Sequence, residues 1–381
     1  MKTVLYFKTI ENLPARKKLA GFLGYARNAE WNVYTVPSNS PDIRTLLNFW
    51  KPDGCAINAA SGNNNFNGSA FYGIPSVFID RPPVTLLPSD SYIYHNSAAT
   101  VRLAMCELLR HTPASCAFVS WPVDHAWNKE RMDEYLSIAY ANGIKPHVHS
   151  TKCNIDNNAR LQSELIGFLA SLPLPAAILA AADPLGVQII DACRIAGLSV
   201  PEDVSVIGID NDEELCETSE PALSSVAPDH FEAGRRAAEM LESLMEDRLQ
   251  PPFKETYASP LFTIRGSSLR LKRPDHDAVT AMELIRKGAC GKLDVSAVLA
   301  QFRCSRRNAE YRFRAATGMS VAEAIRKVRY ETARSMLETG KMSVSAIADF
   351  CGYNSIAAFS RFFKSISGTC PRNTCNSRKR N

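Results

Sequence analysis

Val344-Ser-Ala-Ile-Ala-Asp-Phe-Cys351, then Gly352-Tyr-Asn354, then Ser355-Ile-Ala-Ala-Phe-Ser-Arg-Phe-Phe-Lys364 reads as helix, turn, helix. Ser355 is placed to cap the second helix, because a serine hydroxyl accepts a bond from an unpaired N–H of the first turn. Gly352 supplies the sharp turn between the two helices. Phe359 and Phe363, four apart, form the core stripe.

An earlier stretch has the same form. Val295-Ser-Ala-Val-Leu-Ala-Gln-Phe302 leads through Arg303-Cys304 into Ser305-Arg-Arg-Asn-Ala-Glu-Tyr-Arg-Phe-Arg-Ala-Ala316. Ser305 caps, Ala309 and Phe313 face inward, and Arg306, Arg307, Asn308, Glu310, Tyr311 and Arg312 face out. The two capping serines stand 50 positions apart. Between them Val321–Glu338 predicts a helix about 27 Å long, at ~1.5 Å per residue. That is near the roughly 34 Å between successive major grooves on one face of DNA. Such a helix would hold two recognition helices in adjacent grooves.

Charge agrees with a polyanion partner. From Pro274 to Asn381 there are 19 Lys/Arg against 9 Asp/Glu, a balance of +10; Met1 to Arg273 holds 25 against 30, a balance of −5. A basic C-terminal third on an acidic body is the footprint of a nucleic-acid-binding module. Helical segments fill this third: Ala278–Lys287, Val295–Phe302, Arg306–Ala316, Val321–Glu338, Val344–Cys351 and Ile356–Ser365.

Upstream the texture changes. Strand candidates at Thr3–Phe7, Asn32–Val36, Gly54–Asn58, Ser76–Asp80, Cys116–Ser120, Ala176–Ala181 and Val204–Ile209 alternate with helical patterns at Ala15–Glu30, His95–Leu109 and Gly186–Ala196. That alternation means parallel, doubly wound sheets, and over ~265 residues it predicts two α/β lobes. The domains expected are a two-lobed sensor at 1–270, a linker at 271–277 and an all-α domain at 278–381. Eleven scattered cysteines, no signal-peptide pattern and no long apolar run point to a reducing, cytoplasmic setting.

Ile347–Ser355, Phe359-Ser-Arg-Phe-Phe-Lys364, Gly368 and Pro371 together resemble the AraC family signature over the last ~100 residues. At the end Asn373, Thr374 and Cys375 depart from it. The resemblance implies base-edge contacts from Arg307, Glu310 and Tyr311 in the first unit. In the second it implies Ile356, Ala357, Ser360 and Arg361, beside the capping Ser355. Arg306, Arg312 and Lys364 read as phosphate contacts, which position the protein without specifying sequence. The second helix is poor in base readers, so backbone or shape readout is its expected job.

Gly197-Leu-Ser-Val-Pro-Glu-Asp-Val-Ser-Val-Ile-Gly-Ile-Asp-Asn211 and Ala222–Val226 resemble the ligand-binding core of the LacI family, itself similar to periplasmic sugar-binding proteins. Ile74–Arg81 and Ala181–Asp183 fit the same pattern. The Asn63–Asn67 loop and Tyr94-His-Asn96 depart from it. A LacI-like sensor joined to an AraC-type domain resembles the XylR family of xylose-operon activators, with Trp127-x-x-x-Arg131 and Arg16 as supporting features.

The ligand set expected is Asp210 with Asn211 beside it, Arg131, Arg16, Trp127 and Asp183. Asp210 ends a strand, where open α/β sheets bind ligands, and its carboxylate accepts from adjacent hydroxyls. The arginines donate charge-assisted bonds and Trp127 stacks on a sugar face. Asp183 also ends a strand and reads equally as a helix cap.

No phosphate loop, dinucleotide fingerprint or nucleophile elbow appears, so an enzyme is not expected. No cofactor or metal is expected either. The partners expected are double-stranded DNA, a sugar effector, a second copy of the chain and, for an activator, RNA polymerase. The competing reading makes the α/β part a dimerisation scaffold or a sensor of another metabolite.

Overall fold

Val4, Leu5, Tyr6 and Phe7 are all fully buried, so the first strand is covered on both faces, as parallel sheets require. Val4 and Tyr6 enter one apolar cluster and Leu5 and Phe7 another, which follows from the alternation of side chains along a strand. The computed structural model describes residues 1–8, 12–37, 40, 42–58, 68–80, 91–122, 125–151, 153, 155, 158–248, 251–258, 261–269, 275–291, 293–339 and 342–371. The Asn63–Asn67 loop, Arg81, most of the linker and Asn373–Cys375 lie outside the described residues.

The first lobe runs β1 (Thr3–Lys8), α1 (Leu13–Asn28), β2 (Asn32–Pro37), α2 (Ile43–Trp50), β3 (Gly54–Asn58), β4 (Ser76–Ile79) and β5 (Ser91–His95). The second runs α3 (Ser97–Leu108), β6 (Ser115–Ser120), α4 (Ala126–Ala141), β7 (Pro146–Ser150), α5 (Asn158–Ala170), β8 (Ala176–Ala180), α6 (Asp183–Ile195), β9 (Val204–Ile209), α7 (Glu213–Cys216) and β10 (Ser224–Ala227). The chain then returns to the first lobe with α8 (His230–Met245) and β11 (Lys254–Tyr257), and ends the second with β12 (Leu261–Thr263). It therefore passes between the lobes three times, after His95, Ala227 and Tyr257.

The sheets have strand orders β11-β5-β4-β3-β1-β2 and β12-β10-β9-β8-β6-β7. All described pairings are parallel except β12 with β10. The two orders superimpose, β1 to β4 on β6 to β9, so the lobes are structural repeats. Helices α1 and α8 cross almost backbone to backbone: a Cβ on Gly21 would lie 1.9 Å from the Phe231 carbonyl oxygen, and one on Gly234 1.8 Å from that of Lys18. Those two glycines let α8 seat His230 beside Lys18.

Six helices follow: α9 (His276–Gly288), α10 (Val295–Leu299), α11 (Arg306–Thr317), α12 (Val321–Thr339), α13 (Val344–Phe350) and α14 (Ile356–Ser367). Their core is divided. Val321, Ala324 and Ile325 of α12 pack with α9, α10 and α11, while Ala333 and Leu337 pack with α13 and α14. One helix of 19 residues, about 28 Å long, thus shares its two ends between two helical units. The helix expected from His95 begins instead at Ser97. His95 closes strand β5, and Asn96 caps α3 by accepting from the Ala99 N–H at 3.0 Å.

Candidate functional site

A cavity of about 550 Å³ lies between the lobes, at the carboxyl ends of both sheets. Asp80 follows β4 and Asp210 follows β9, so they occupy equivalent places in the two repeats. Each has a positive φ, 73° and 109°, which is strained for a residue with a Cβ. Each also faces a buried cation from the helix after its lobe's first strand: Lys18 on α1 binds Asp80, and Arg131 on α4 lies 3.5 Å from Asp210. The cavity is therefore lined by two ion pairs, one on each lobe.

Arg131 is 4% exposed. It donates to the Ala181 carbonyl and stacks over the Trp127 ring at 4.6 Å, while its Nε has no hydrogen-bond partner among the described residues. Trp127 and Arg131 are four positions apart, which puts both on one face of α4. Asn128 fixes the strand end opposite, accepting from the Trp121 N–H at 3.0 Å and donating to Ser120 Oγ at 2.9 Å. Trp121 lies 6.1 Å from Trp127, and both line the cavity.

The electrostatics separate the carboxyl groups. Burial pushes the Asp210 carboxyl up, but the Arg131 guanidinium, with His230 Nε2 also 3.5 Å away, outweighs it and holds it at about 2. Asp80 is lowered in the same way, its burial outweighed by Lys18, with Tyr257 donating at 2.5 Å. Asp183 goes the other way. Burial first, then the Asp210 charge, push its carboxyl up to about 8, so it is protonated at neutral pH. It accepts from Ser225 Oγ at 2.5 Å and from the Asp212 N–H at 2.8 Å. Burial also lowers His95 and His230, so both imidazoles are neutral there.

Of the residues expected at the ligand site, Asp210, Arg131, Trp127 and Asp183 line this cavity. Arg16 and Asn211 do not. Arg16 is exposed on α1, and the cation that reaches inward is Lys18. Asn211 points away, accepting from Arg265 Nη1 at 2.9 Å. Tyr94 and His95, read from sequence as a departure, line the wall, and Asp183 is held by its neighbours more than it faces open space.

Sequence reading missed Lys18, Asp80, His230 and Tyr257. Aligning the two lobes as a repeat would have found Asp80, which ends its fourth strand as Asp210 does. No local signal marks His230 or Tyr257, which arrive from the later crossovers.

Behind the cavity a polar chain leads out of the second lobe. Arg265, 2% exposed, donates to Asn211 at 2.9 Å and to Glu217 Oε1 at 3.0 Å. Lys287 on α9 donates to the same Glu217 oxygen at 2.6 Å. Leu269 joins the apolar core of α9 and α11. The helical half is thus docked on the second lobe through three hydrogen bonds in series, which end at Asn211 beside Asp210 of the cavity wall.

In the helical half α11 and α14 are built alike. Ser305 and Ser355 cap them, accepting from the Asn308 and Ala358 N–H groups at 3.4 and 3.2 Å, and Gly318 and Gly368 close them in the left-handed conformation. Arg306, Arg307, Glu310 and Tyr311 are exposed on α11, and Ile356, Ala357, Arg361 and Lys364 on α14, with Ser360 half-buried. Arg306 and Glu310 pair along the helix at 3.2 Å. Arg312, expected among the phosphate contacts, is committed elsewhere: it binds both Asp275 oxygens at 2.8 and 2.9 Å, reaches Asp277 at 2.8 Å and stacks on Phe302.

Residues 108–268 match the model of a periplasmic binding protein-like domain, and residues 298–377 that of a helix-turn-helix domain. The chain is 30% identical over 295 residues to the xylose operon regulatory protein of Escherichia coli K12, across 76% of this chain and 74% of that one. Over the whole length it is similar to the solved structure of a xylose-binding transcription activator, xylR, with TM-score 0.62, 24% identity and 98% of each chain covered. The complex of the transcriptional regulator CelR with cellobiose is similar over 70% of this chain and 84% of that one, with TM-score 0.60 and 20% identity. These relatives are transcription regulators and not enzymes. The chain belongs to the xylose operon regulatory protein family, transcription regulators that join a two-lobed periplasmic-binding-protein-like half to an AraC-type pair of helix-turn-helix units.

Proposed function

We propose that this chain is a cytoplasmic homodimeric regulator whose helix-turn-helix units bind a DNA operator, and that a neutral monosaccharide, xylose or a close relative, held between the lobes controls that binding. The observation that carries this reading is the pair of ion pairs facing one cavity. Both lining cations are already matched by carboxylates. Among the described residues the wall therefore offers strong donors and acceptors with no uncommitted positive charge, which suits a polyol better than a sugar acid.

Asp80 and Asp210 accept from adjacent hydroxyls, Lys18 and Arg131 donate to sugar oxygens, and Trp121 and Trp127 cover an apolar sugar face. A ligand touching both lobes favours their closed arrangement, because only that arrangement offers both sets of contacts. Arg307, Glu310 and Tyr311 read base edges, Arg361 and Lys364 engage the second site, and Arg306 holds phosphate. The names of the similar regulators support a sugar effector and activation; RNA polymerase is the partner such activation would engage.

Thermal melting of the full chain against xylose, arabinose, ribose, glucose, galactose and the corresponding acids tests the reading. One neutral sugar should raise Tm selectively by binding the folded state. Asp210→Ala should lose that rise and keep sugar-independent DNA binding. A rise that survives Asp210→Ala, or one given by acids alone, sinks the assignment; no rise with any sugar makes the α/β half a scaffold or a sensor of another class of metabolite.

A further inference from the structure

Cys290 follows the end of α9, a helix of the first unit, yet its side chain packs against the core of the second, beside Cys351 at the end of α13. The two thiols lie close enough for each to change the other's proton affinity. Their backbones also meet: a Cβ on Gly352 would lie 3.2 Å from the Cys290 carbonyl oxygen. Arg329 of α12 grips the same loop, donating to the Ala289 carbonyl and to that of Gly291 at 3.3 Å, with its guanidinium 5.9 Å from the Tyr353 ring. Both sulfurs are free thiols, Cys290 half-buried and Cys351 buried.

We propose that Cys290 and Cys351 are a redox-modification site, oxidised by a hydroperoxide to a disulfide that ties the second helix-turn-helix unit to the end of α9. Cys290 is the attacking sulfur, because it is the one that solvent reaches. Its thiolate forms an S–O bond as the O–O bond breaks, giving a sulfenic acid and, after protonation, water or an alcohol. Cys351 sulfur then attacks the Cys290 sulfur and expels hydroxide, which takes the Cys351 proton and leaves as water. Two thiols lose two electrons in all and the peroxide gains them.

The surroundings favour this order. The neighbouring Cys351 thiol outweighs burial and lowers the Cys290 thiol, helped by Thr332 and Arg329, which favours its thiolate. The Cys351 thiol is pushed up, since the pair resists losing a second proton. The consequence falls on α14, whose cap Ser355 stands four residues beyond Cys351. Its placement relative to the first unit becomes fixed.

The test is differential alkylation and peptide mass spectrometry of the full-length protein at neutral pH, with and without hydrogen peroxide. The exposed Cys106 and Cys370 serve as reference thiols within the same molecule. Cys290 should alkylate about tenfold faster than either, and low peroxide should yield a Cys290–Cys351 linked peptide that dithiothreitol removes. Cys290→Ser should abolish the link. Cys351→Ala should slow Cys290 alkylation, since the neighbour that lowers its thiol is gone, and peroxide should then carry Cys290 on to sulfinic acid with no linked peptide. Alkylation of Cys290 no faster than the reference thiols, or peroxide treatment with no linked peptide, overturns the proposal.

Discussion

Asp183 and Asp210 lie within one polar cluster and have their proton affinities driven apart, Asp183 up to about 8 and Asp210 down to about 2. The opposite shifts make opposite contributions to stability. Asp210 binds its proton less tightly in the folded state, so its stabilisation is present above the ordinary carboxylate range and is lost as pH falls toward 2. Asp183 binds its proton more tightly when folded, so its stabilisation is full below that range and is lost as pH rises toward 8. Asp183→Asn keeps the neutral shape without the ionisation. Its Tm should therefore fall less than that of the parent protein between about pH 6 and about pH 9. Parallel melting curves over that range would show that Asp183 is already ionised.

Among the elements, α11 and α14 share a cap, a length and a left-handed glycine stop, but their outward faces differ. Arg312 marks where a surface charge is structural. Held by Asp275 and Asp277, it clamps the start of α9 to α11. Arg361 and Lys364 are exposed on α14, with no ion pair to a carboxylate among the described residues. Lys364→Ala should flatten the slope of log affinity for DNA against log salt by about one, whereas Arg361→Ala should relax specificity at one base position. Arg312→Ala should leave that slope alone and lower Tm. Binding measured from low to moderate salt separates the two roles, and a changed slope for Arg312→Ala would return it to the phosphate contacts.

At the scale of the whole molecule the question is how closure of the lobes reaches the helical half. Asn211 follows Asp210 directly, Arg265 joins Asn211 to Glu217, and Glu217 holds Lys287 on α9. Movement of the second lobe is thereby tied to the first helix of the DNA-binding half. Glu217→Gln weakens the two charged links while leaving the cavity wall intact. The sugar-dependent rise in Tm should persist, and the sugar-dependent change in DNA affinity should shrink several-fold, as for a coupling of 1–3 kcal/mol reduced in part. Titration with effector followed by DNA-binding anisotropy measures both, and an undiminished DNA response would exclude this route.

The sequence by itself determined what local periodicity can determine. Apolar strand runs and their helices specified a parallel α/β half. Two capped amphipathic pairs 50 positions apart specified the helix-turn-helix half. It also placed Asp210, because a carboxylate at a strand end needs no long-range information, and Trp127 with Arg131, because four-residue spacing fixes a shared helix face. Tertiary structure decided the rest. Arg16 and Lys18 sit two residues apart on α1, about 200° around the helix, and only docking against α8 selects which of them turns inward. Asp80, His230 and Tyr257 meet at the cavity from far-separated segments, because the chain crosses between the lobes three times and each crossing ends at the same wall. Arg312, which reads from sequence as a phosphate contact, is paired in the fold with Asp275, the cap of the first helix of the same half.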